Sequence, residues 1–452
     1  MRTRSIQAGA VVAALLALPA GAFAQGTPEE QLRATFAAQM AQAPAASGAY
    51  VVDLTDGHVV FDDRSDVKRL SASIEKLYTT STALIELGPT TRVKTRVLGT
   101  GRRVGRTWRG NLYLRGGGDF TFGTAAFARK GYGTRASVER LAAQVRRSGL
   151  RRVSGRVFGD ATLYSDNGGT PFELVLCADP LFGADCPYGP AGHFERPMPN
   201  GPRTPIGFNR GLTDETGAKA QRRPANFAAR GLIRALRRAG IRVDGGAGAR
   251  RTPRRARALA AVASPTIAKM VGLVNPPSDN YAADALFRLI GARVDGDGSG
   301  AGGKRVVSRT IEREFGLTPD IESGSGETIL DRTSPREVVE LLKAMRSRPE
   351  GRVFARSLSQ AGINGTLLRF KGSVAEGRCQ LKDGTRVDDV LVNTTLDIAG
   401  YCTSVSGRTF AFAVMMNGLP IEVVTDPPPP RLESPGYPIQ DTVVKALAGY
   451  QG

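Results

Sequence analysis

The chain has 452 residues and a formal net charge of +20 at pH 7. Its apolar fraction of 41% is ordinary for a globular protein, so a sizeable core and two or three domains are expected. No stretch beyond the N-terminus is long and apolar enough to span a bilayer, which excludes internal membrane-spanning helices.

The first 24 residues are predicted to be a secretory signal peptide. Arg2 and Arg4 precede an apolar run over residues 8–18, and Ala22-Phe23-Ala24 has the small-x-small pattern of a cleavage site. Cleavage after Ala24 is expected. The mature chain is therefore predicted to be secreted, either into a periplasm or to the exterior of the cell envelope.

The positive charge has three interpretations. A basic protein can bind nucleic acid, it can associate electrostatically with an anionic cell envelope, or it can reflect an arginine-rich composition without a function. Predicted export argues against nucleic acid, because exported proteins rarely meet it. We expect no nucleic-acid partner, and the other two interpretations stay open.

Four cysteines fit an oxidising compartment. Cys177 is close in sequence to Cys186, and Cys379 to Cys402, so we expect a disulfide within each pair. No metal site is expected, because the chain has only two histidines and no C-x-x-C motif.

A β-hairpin and a helix are predicted at the start of the mature chain. The hairpin comprises residues 50–54 and 58–61 around the turn signal Thr55-Asp56-Gly57. Residues 70–87 are predicted to form a helix because apolar side chains recur there at helical spacing, and Gly88-Pro89 ends it.

A region rich in Gly and Arg follows, up to about residue 255, with short strands predicted at 111–114 and 156–158. The helices predicted downstream are 225–239, a segment opening at 264, 280–290, 305–315, 334–346 and 442–447. The strands predicted near the end are 390–393 and 409–416. This order predicts an α/β sandwich whose sheet draws on both ends of the chain, in residues 25–95 and 256–452. Residues 96–255 are predicted to be a mainly β insertion.

Ser73-Ile74-Glu75-Lys76 is an S-x-x-K motif near the start of the first long predicted helix. Residues three apart share a helix face, so Lys76 is expected beside the Ser73 hydroxyl. A lysine whose pKa is lowered in a cleft can act as a general base for a serine nucleophile. The alternative is an exposed helix turn without function. His58 and His193 are paired with no serine motif, so a Ser-His-Asp site is not expected.

Two further motifs lie far downstream. Ser278-Asp279-Asn280 follows two prolines and starts a predicted helix, where it could simply be an N-cap. Lys382-Asp383-Gly384-Thr385 is a variant of K-T-G, although Lys-Asp-Gly is also typical of a β-turn. S-x-x-K, S-D-N and K-T-G, in that order, are the elements of penicillin-interacting serine acyltransferases.

Together these motifs resemble the serine D-alanyl-D-alanine carboxypeptidase/endopeptidase family, the class C low-molecular-mass penicillin-binding proteins. The further stretches that carry the resemblance are 70–79, 116–119, 207–211, 323–326, 364–367, 377–385 and 399–401. About two hundred residues separate Ser73 from Ser278. This long gap disfavours a class A β-lactamase, in which the gap is much shorter. The implied fold is the α+β sandwich of the penicillin-binding transpeptidase and β-lactamase-like type.

The resemblance implies a role for each motif. Ser73 would attack the carbonyl of a D-Ala-D-Ala or diaminopimelyl-type bond, Lys76 would accept its proton, and Ser278 would pass a proton to the departing amine. Substrate binding would fall to Asn280, Lys382, Asp383, Gly384 and Thr385, and the backbone N–H groups of Ser73 and Thr385 would form the oxyanion hole. The implied substrate is a peptidoglycan peptide, β-lactams would be covalent inhibitors, and no cofactor is implied.

Asp383 departs from the family, which has a threonine there to bind the substrate carboxylate. Two carboxylates held close together repel one another, and more strongly in a dry cleft. Lys382 could neutralise Asp383 but would then be withdrawn from the substrate. A second alignment would put Asn393-Thr394-Thr395 in this place, at the loss of the lysine and the glycine. Asp383, with Ser323 in place of the family's aspartate, raises the alternative of a catalytically impaired relative that binds peptidoglycan or scaffolds partner proteins.

Overall fold

The computed structural model describes residues 26–165, 201–213, 219–388, 393–420, 422–424 and 431–452. The predicted signal peptide, Cys177, Cys186, His193 and most of the strand predicted at 390–393 lie outside these residues. Within the described ranges, no helix has both the length and the apolar character needed to cross a membrane.

The described helices and strands follow one another in mixed order along the chain. The helices are α1 (Pro28–Gln42), α2 (Lys76–Leu87), α3 (Ala125–Tyr132), α4 (Val138–Arg147), α5 (Pro224–Arg238), α6 (Ile267–Val274), α7 (Asn280–Val294), α8 (Gly300–Phe315), α9 (Pro335–Ser347), α10 (Gly351–Arg356) and α11 (Gly436–Ala448). The strands are β1 (Gly48–Asp53), β2 (Val59–Asp63), β3 (Arg69–Leu70), β4 (Lys94–Gly99), β5 (Arg102–Val104), β6 (Thr107–Arg109), β7 (Leu112–Arg115), β8 (Arg152–Val153), β9 (Val157–Asp160), β10 (Arg242–Val243), β11 (Ala247–Ala249), β12 (Arg257–Ala263), β13 (Arg332–Thr333), β14 (Ser359–Gln360), β15 (Cys379–Asp388), β16 (Asn393–Thr403), β17 (Thr409–Pro420), β18 (Glu422–Val424) and β19 (Arg431–Glu433).

The central sheet has six antiparallel strands in the order β14-β15-β16-β17-β1-β2. The predicted hairpin is its β1-β2 edge, and β1 also pairs with β17, so both ends of the chain build the sheet. Both faces are covered. Val51 packs in the cluster that includes α1 and α11, whereas Val52 packs in the cluster that includes α2 and α6 to α9. Two apolar faces per strand explain why all of β1 is buried.

The inserted region forms two smaller sheets with a hydrophobic cluster of its own. Their orders are β11-β9-β7-β4-β12 and β10-β8-β6-β5. The chain enters through β4 and returns through β12, which pair antiparallel with Lys94 opposite Ala263. Helix α5 matches the helix predicted at 225–239. Helices α3 and α4 were not predicted, although Thr124 and Ser137 cap their N-termini.

Two local predictions need correction. The helix predicted over 70–87 begins only at Lys76, because Ala72 adopts φ 40° and residues Ala72–Glu75 form a 3-10 turn. Ser73 therefore lies in the turn that precedes α2, and not in its first helical turn. The β-turn interpretation of Lys382–Thr385 is wrong, since these residues lie inside β15.

Candidate active site

Ser73 and Lys76 are in direct contact. The Nζ atom of Lys76 lies 2.7 Å from Ser73 Oγ, 2.5 Å from Asn280 Oδ1 and 2.7 Å from the backbone oxygen of Ser325. Lys76 is fully buried, whereas Ser73 is half-buried and open to solvent. A neutral amine has two N–H donors and one lone pair. If Asn280 and Ser325 take the two donors, the lone pair faces the Ser73 hydroxyl and can accept its proton.

Glu75 affects the charge around this pair. It is fully buried, and burial, with a smaller contribution from Asp331, raises its pKa well above the usual range. Burial therefore favours the neutral form of this carboxyl group. In that form Glu75 adds no negative charge that would favour the ammonium form of Lys76.

The S-D-N segment joins α6 to α7. Ser278 adopts φ 55°, and its hydroxyl accepts a hydrogen bond from Lys382 Nζ at 2.9 Å. Asp279 is the N-cap of α7, because its Oδ1 accepts from the backbone N–H of Ala282 at 3.0 Å. The N-cap interpretation is thus correct for Asp279, while the residues on either side of it contact Lys382 and Lys76.

Arg210 of the inserted region holds Asp279 in place. Its Nη2 donates to Asp279 Oδ1 at 3.0 Å, its Nη1 donates to the other carboxylate oxygen, and Nη1 lies 2.6 Å from the Tyr132 hydroxyl. The guanidinium stacks over the Tyr281 ring at 4.8 Å. Both partners of the ion pair are only 1% exposed. A bidentate, buried pair of this kind fixes the S-D-N segment against the insertion.

Strand β15 brings the K-D-G-T segment beside Ser73. A Cβ atom added to Gly384 would lie 3.1 Å from Ser73 N, so a larger residue would push the strand away. Lys382 is fully buried, and burial lowers its pKa while Asp383 opposes that shift. Thr395, from the second alignment, lies on β16 opposite Arg386, three residues beyond Asp383. The contacts with Ser73 and Ser278 therefore favour the alignment through Lys382.

Asp383 has partners of its own. Its Oδ1 accepts from Thr366 Oγ1 at 2.5 Å and lies 3.3 Å from Lys382 Nζ. Burial tends to raise the pKa of Asp383, but Lys382, Arg369 and the Thr366 hydroxyl outweigh it, and the pKa lies below its usual value. Asp383 is therefore a charged carboxylate at neutral pH. The neighbouring Thr385 forms a side-chain hydrogen bond with Tyr437.

The Ser323–Gly326 loop supplies the carbonyl that holds Lys76. Ser323 Oγ donates to Asp331 Oδ2 at 2.6 Å and accepts from Gly326 N at 2.9 Å. A serine side chain can close a turn through such bonds as an aspartate does. Ser323 thus keeps the loop folded and positions Ser325.

Sequence reasoning missed Glu327, which follows this loop. Its Oε1 accepts from Asn280 Nδ2 at 3.3 Å, and its Oε2 accepts from Arg203 at 3.1 Å. Arg203 also pairs with Asp284 at 2.9 Å. A lone acidic residue after Gly326 belongs to no motif, so only the three-dimensional contacts reveal it.

The cysteine and metal predictions concern residues outside this cleft. Cys379 and Cys402 form a disulfide across the β15-β16 ladder, as expected, and the other predicted pair is outside the described residues. One group within the described ranges has ligand-like spacing: Asp53, Asp56 and His58. Arg408 pairs with both of those carboxylates, so it already compensates part of their charge.

Curated relatives cover most of the chain. It is 25% identical over 482 residues to the D-alanyl-D-alanine carboxypeptidase of Actinomadura sp. strain R39, an alignment that covers 90% of this chain and 82% of the relative. It is 28% identical over 382 residues to carboxypeptidase DacB of Mycolicibacterium smegmatis, with 81% and 75% covered.

Solved structures share the fold. Penicillin binding protein 4 (dacB) from Haemophilus influenzae superposes with a TM-score of 0.69 at 17% identity, covering 92% of this chain and 99% of that one. Bd3459, a predatory peptidoglycan endopeptidase from Bdellovibrio bacteriovorus, gives a TM-score of 0.51 at 16% identity, covering 82% and 85%. These similarities confirm the α+β fold of the penicillin-binding and β-lactamase-like type.

A family model also matches most of the chain. Residues 32–172 and 212–428 match the model described as the D-Ala-D-Ala carboxypeptidase 3 (S13) family. The two matched segments contain Ser73, Lys76, Ser278, Asn280 and Lys382 through Thr385. Because they cover well over half of the sequence, the chain belongs to the D-Ala-D-Ala carboxypeptidase 3 (S13) family.

Proposed function

We propose that this protein is an exported serine D,D-peptidase that cleaves peptidoglycan stem peptides through an acyl-enzyme on Ser73. The observation that carries the proposal is the 2.7 Å contact between Lys76 Nζ and Ser73 Oγ, with Lys76 also bonded to Asn280 and Ser325. Family membership supports a D-Ala-D-Ala substrate. The predicted signal peptide supports export.

In acylation, Ser73 Oγ attacks the carbonyl carbon of the scissile bond, and its proton passes to Lys76 Nζ. The backbone N–H groups of Ser73 and Thr385 stabilise the oxyanion. The C–N bond then breaks, and the terminal D-Ala leaves once its amine has gained a proton through Ser278. When the leaving amine belongs to a second stem peptide, the same steps make the enzyme an endopeptidase.

In deacylation, one water molecule is consumed. Its oxygen attacks the ester carbonyl, one proton passes by way of Lys76 to Ser73 Oγ, and the shortened peptide leaves as a carboxylic acid. A β-lactam offers Ser73 a similar acyl bond but keeps its leaving amine attached. We therefore expect β-lactams to form a long-lived ester on Ser73.

The 2.9 Å contact between Lys382 Nζ and Ser278 Oγ supports two roles for Lys382. It can orient the Ser278 hydroxyl for proton transfer, and its positive charge can attract the terminal carboxylate of the substrate. Asn280 donates its amide N–H to Glu327. A substrate carbonyl would compete with Glu327 for that donor.

Asp383 favours a second candidate function, a catalytically impaired relative that binds peptidoglycan peptides in the same cleft. Its charge is 3.3 Å from Lys382 Nζ, so it competes with the substrate carboxylate for that cation. In this case substrate would be held weakly, and turnover would be low.

The test combines two readouts on the wild type, Ser73→Ala and a matched control, Ser308→Ala on α8. We expect the wild type and the control to release D-Ala from a stem pentapeptide and to be labelled by a fluorescent penicillin, and Ser73→Ala to do neither. Labelling without D-Ala release would favour the impaired relative. An unlabelled wild type at high reagent concentration would contradict the proposal.

A further inference from the structure

Two adjoining cavities lie where the inserted region meets α6. Their volumes are about 300 and 600 Å³, and both are lined by Gly133, Thr134, Arg135 and Arg140. The cations that line one or both are Arg92, Arg129, Arg135, Arg140 and Lys269, and we name these five residues the basic cleft. None of the described residues that line the cavities is Asp or Glu.

The charge of the basic cleft is not compensated within the part of the chain that the structure describes. All five side chains are exposed, and none pairs with a carboxylate of the described residues. Glu139 is next to Arg140 on α4, but its Oε2 accepts from the backbone N–H of Ala125 at 2.8 Å. By contrast, Arg305, Arg309 and Arg313 of α8 each pair with an acidic side chain.

The net positive charge of the protein is concentrated in residues 92–257, which contain the inserted region and its flanking residues. Residues 92–257 hold 33 of the 62 Lys and Arg residues but only 11 of the 42 Asp and Glu residues. The rest of the chain holds 29 Lys and Arg residues and 31 Asp and Glu residues, so it is close to neutral. A composition bias acting on the whole chain would not segregate charge in this way.

We propose that the basic cleft binds a phosphate-bearing polymer, such as a phosphodiester-linked glycan of the cell envelope. Four of its five cations are arginines, whose planar guanidinium groups bind phosphate oxygens in a bidentate manner. Five cations in one open cleft, none of them paired with an acidic side chain of the described residues, match a ligand with several closely spaced, permanent charges. Two cavities that share lining residues can hold successive phosphate groups of one chain.

The basic cleft shares no residue with the Ser73 site, so this inference is independent of the peptidase proposal. Binding would place the enzyme on an anionic polymer while Ser73 remains free to react. Because exposed cations are screened by salt, binding should weaken as ionic strength rises.

The probe is short-chain inorganic polyphosphate, titrated into the full mature chain at physiological ionic strength by calorimetry. The cleft variant is Arg129→Gln/Arg135→Gln/Arg140→Gln. The matched control is Arg251→Gln/Arg254→Gln/Arg255→Gln, which removes the same charge from three exposed arginines elsewhere in the insertion. We expect the cleft variant to bind about ten-fold more weakly or worse, and the control to lose about two-fold at most.

Three outcomes would overturn the proposal. The first is an equal loss of polyphosphate affinity in the cleft and control variants, which would mean diffuse electrostatic attraction. The second is no binding by the wild type. The third is tighter binding of the carboxylate polymer polygalacturonate than of polyphosphate. Arg92→Gln/Lys269→Gln provides a second variant in case the triple one is misfolded, which its thermal midpoint would reveal. Ser73→Ala should bind polyphosphate like the wild type, so a failed peptidase proposal would leave this result intact.

Discussion

At the scale of single residues, Asp383 is the most informative position. Its carboxylate is charged, and it is bonded to Thr366 and Lys382 before any substrate arrives. These bonds reduce the expected repulsion between the Asp383 carboxylate and the substrate carboxylate. They also mean that Asp383 already occupies part of the binding capacity of Lys382. The sequence predicted the Lys382 contact. Thr366 and Arg369 belong to a 3-10 segment, Gly365–Phe370, that no local pattern connects to Asp383.

Replacing Asp383 by threonine should raise peptidase activity. The substitution frees Lys382 and supplies a hydroxyl for the substrate carboxylate, so kcat/KM for a D-Ala-D-Ala peptide should rise several-fold, up to about ten-fold. Asp383→Asn is the matched control, since it removes the charge without adding a hydroxyl. Unchanged or lower activity in Asp383→Thr would reject this account of Asp383.

The same variants should shift the pH profile. Burial lowers the pKa of Lys382 and Asp383 opposes that effect, so removing Asp383 should lower this pKa further. If the ammonium form of Lys382 binds substrate, activity at high pH should then be lost at a lower pH in both variants than in the wild type. If activity is lost at the same alkaline pH in the variants and in the wild type, the positive charge of Lys382 is not required for substrate binding.

At the scale of elements, the S-D-N segment depends on a residue from another part of the fold. Asp279 caps α7 and is paired with Arg210 from the insertion, and this contact turns Ser278 and Asn280 towards the two lysines. The sequence indicated the cap and marked residues 207–211 as a family stretch. It could not indicate that the two meet, because their contact depends on how the insertion packs.

Substituting Arg210 should destabilise the protein and misplace the site. Arg210→Gln leaves the buried Asp279 carboxylate without its cation, which should cost about 3 to 5 kcal/mol of unfolding free energy. Arg210→Lys keeps the positive charge but cannot form two parallel hydrogen bonds, so it should lose less unfolding free energy than Arg210→Gln. Urea unfolding measures this effect, and the acylation rate by penicillin at low temperature reports positioning.

A double variant separates charge from packing. Arg210→Gln/Asp279→Asn removes both charges, so it should be more stable than Arg210→Gln alone. The stability lost by the double variant is compared with the summed losses of Arg210→Gln and Asp279→Asn. If the two are equal, the ion pair does not stabilise the S-D-N segment.

His58 connects α1 to the hairpin. Its ring nitrogens lie 2.5 Å from Asp56 Oδ1 and 3.1 Å from Glu29 Oε2. The hydrogen bond with Asp56 raises the pKa of His58 above 6.5, against a smaller opposing effect of burial. Because folding raises this pKa, protonated His58 stabilises the folded protein at pH values below its pKa in the unfolded chain. This stabilisation is lost as the pH rises through its pKa in the folded protein.

Replacing His58 by glutamine should therefore lower the thermal midpoint slightly in mildly acidic buffer and leave it unchanged in alkaline buffer. The side chain is half-buried and its partners are partly exposed to solvent, so the effect should be small. Thermal unfolding of both proteins across pH measures it. A difference that grows towards high pH would contradict the assigned sign.

Local patterns predicted most elements but not all. The hairpin, α5 and the helices from α6 to α9 have clear periodicity or turn signals, and the structure has them within a few residues. Helix α3 was missed because it is short and contains a glycine. Helix α4 was missed although Val138, Leu141, Ala142 and Val145 recur at helical spacing, so its pattern was readable from the sequence. The start of α2 was misplaced because the left-handed backbone of Ala72 is imposed by its surroundings, with Gly326 packed against its carbonyl oxygen.

At the scale of the whole molecule, the fold brings distant segments to one cleft. The plan of a sheet built from both ends of the chain was predictable from the order of elements. The register was not, since the pairing of Gly48 with Met415 depends on packing of both sheet faces and not on a nearby turn. The segregation of charge into the insertion is the basis for the polyphosphate binding that we propose for the basic cleft, whereas Arg210 ties the insertion to the Ser73 site.

The position of a β-lactam adduct decides whether Ser73 is the nucleophile. The protein is incubated with benzylpenicillin and digested, and the modified residue is identified by peptide mass spectrometry. We predict one penicilloyl group on Ser73, formed much more slowly in Lys76→Gln and absent in Ser73→Ala. No adduct, or an adduct on Ser278 or another side chain, would contradict it.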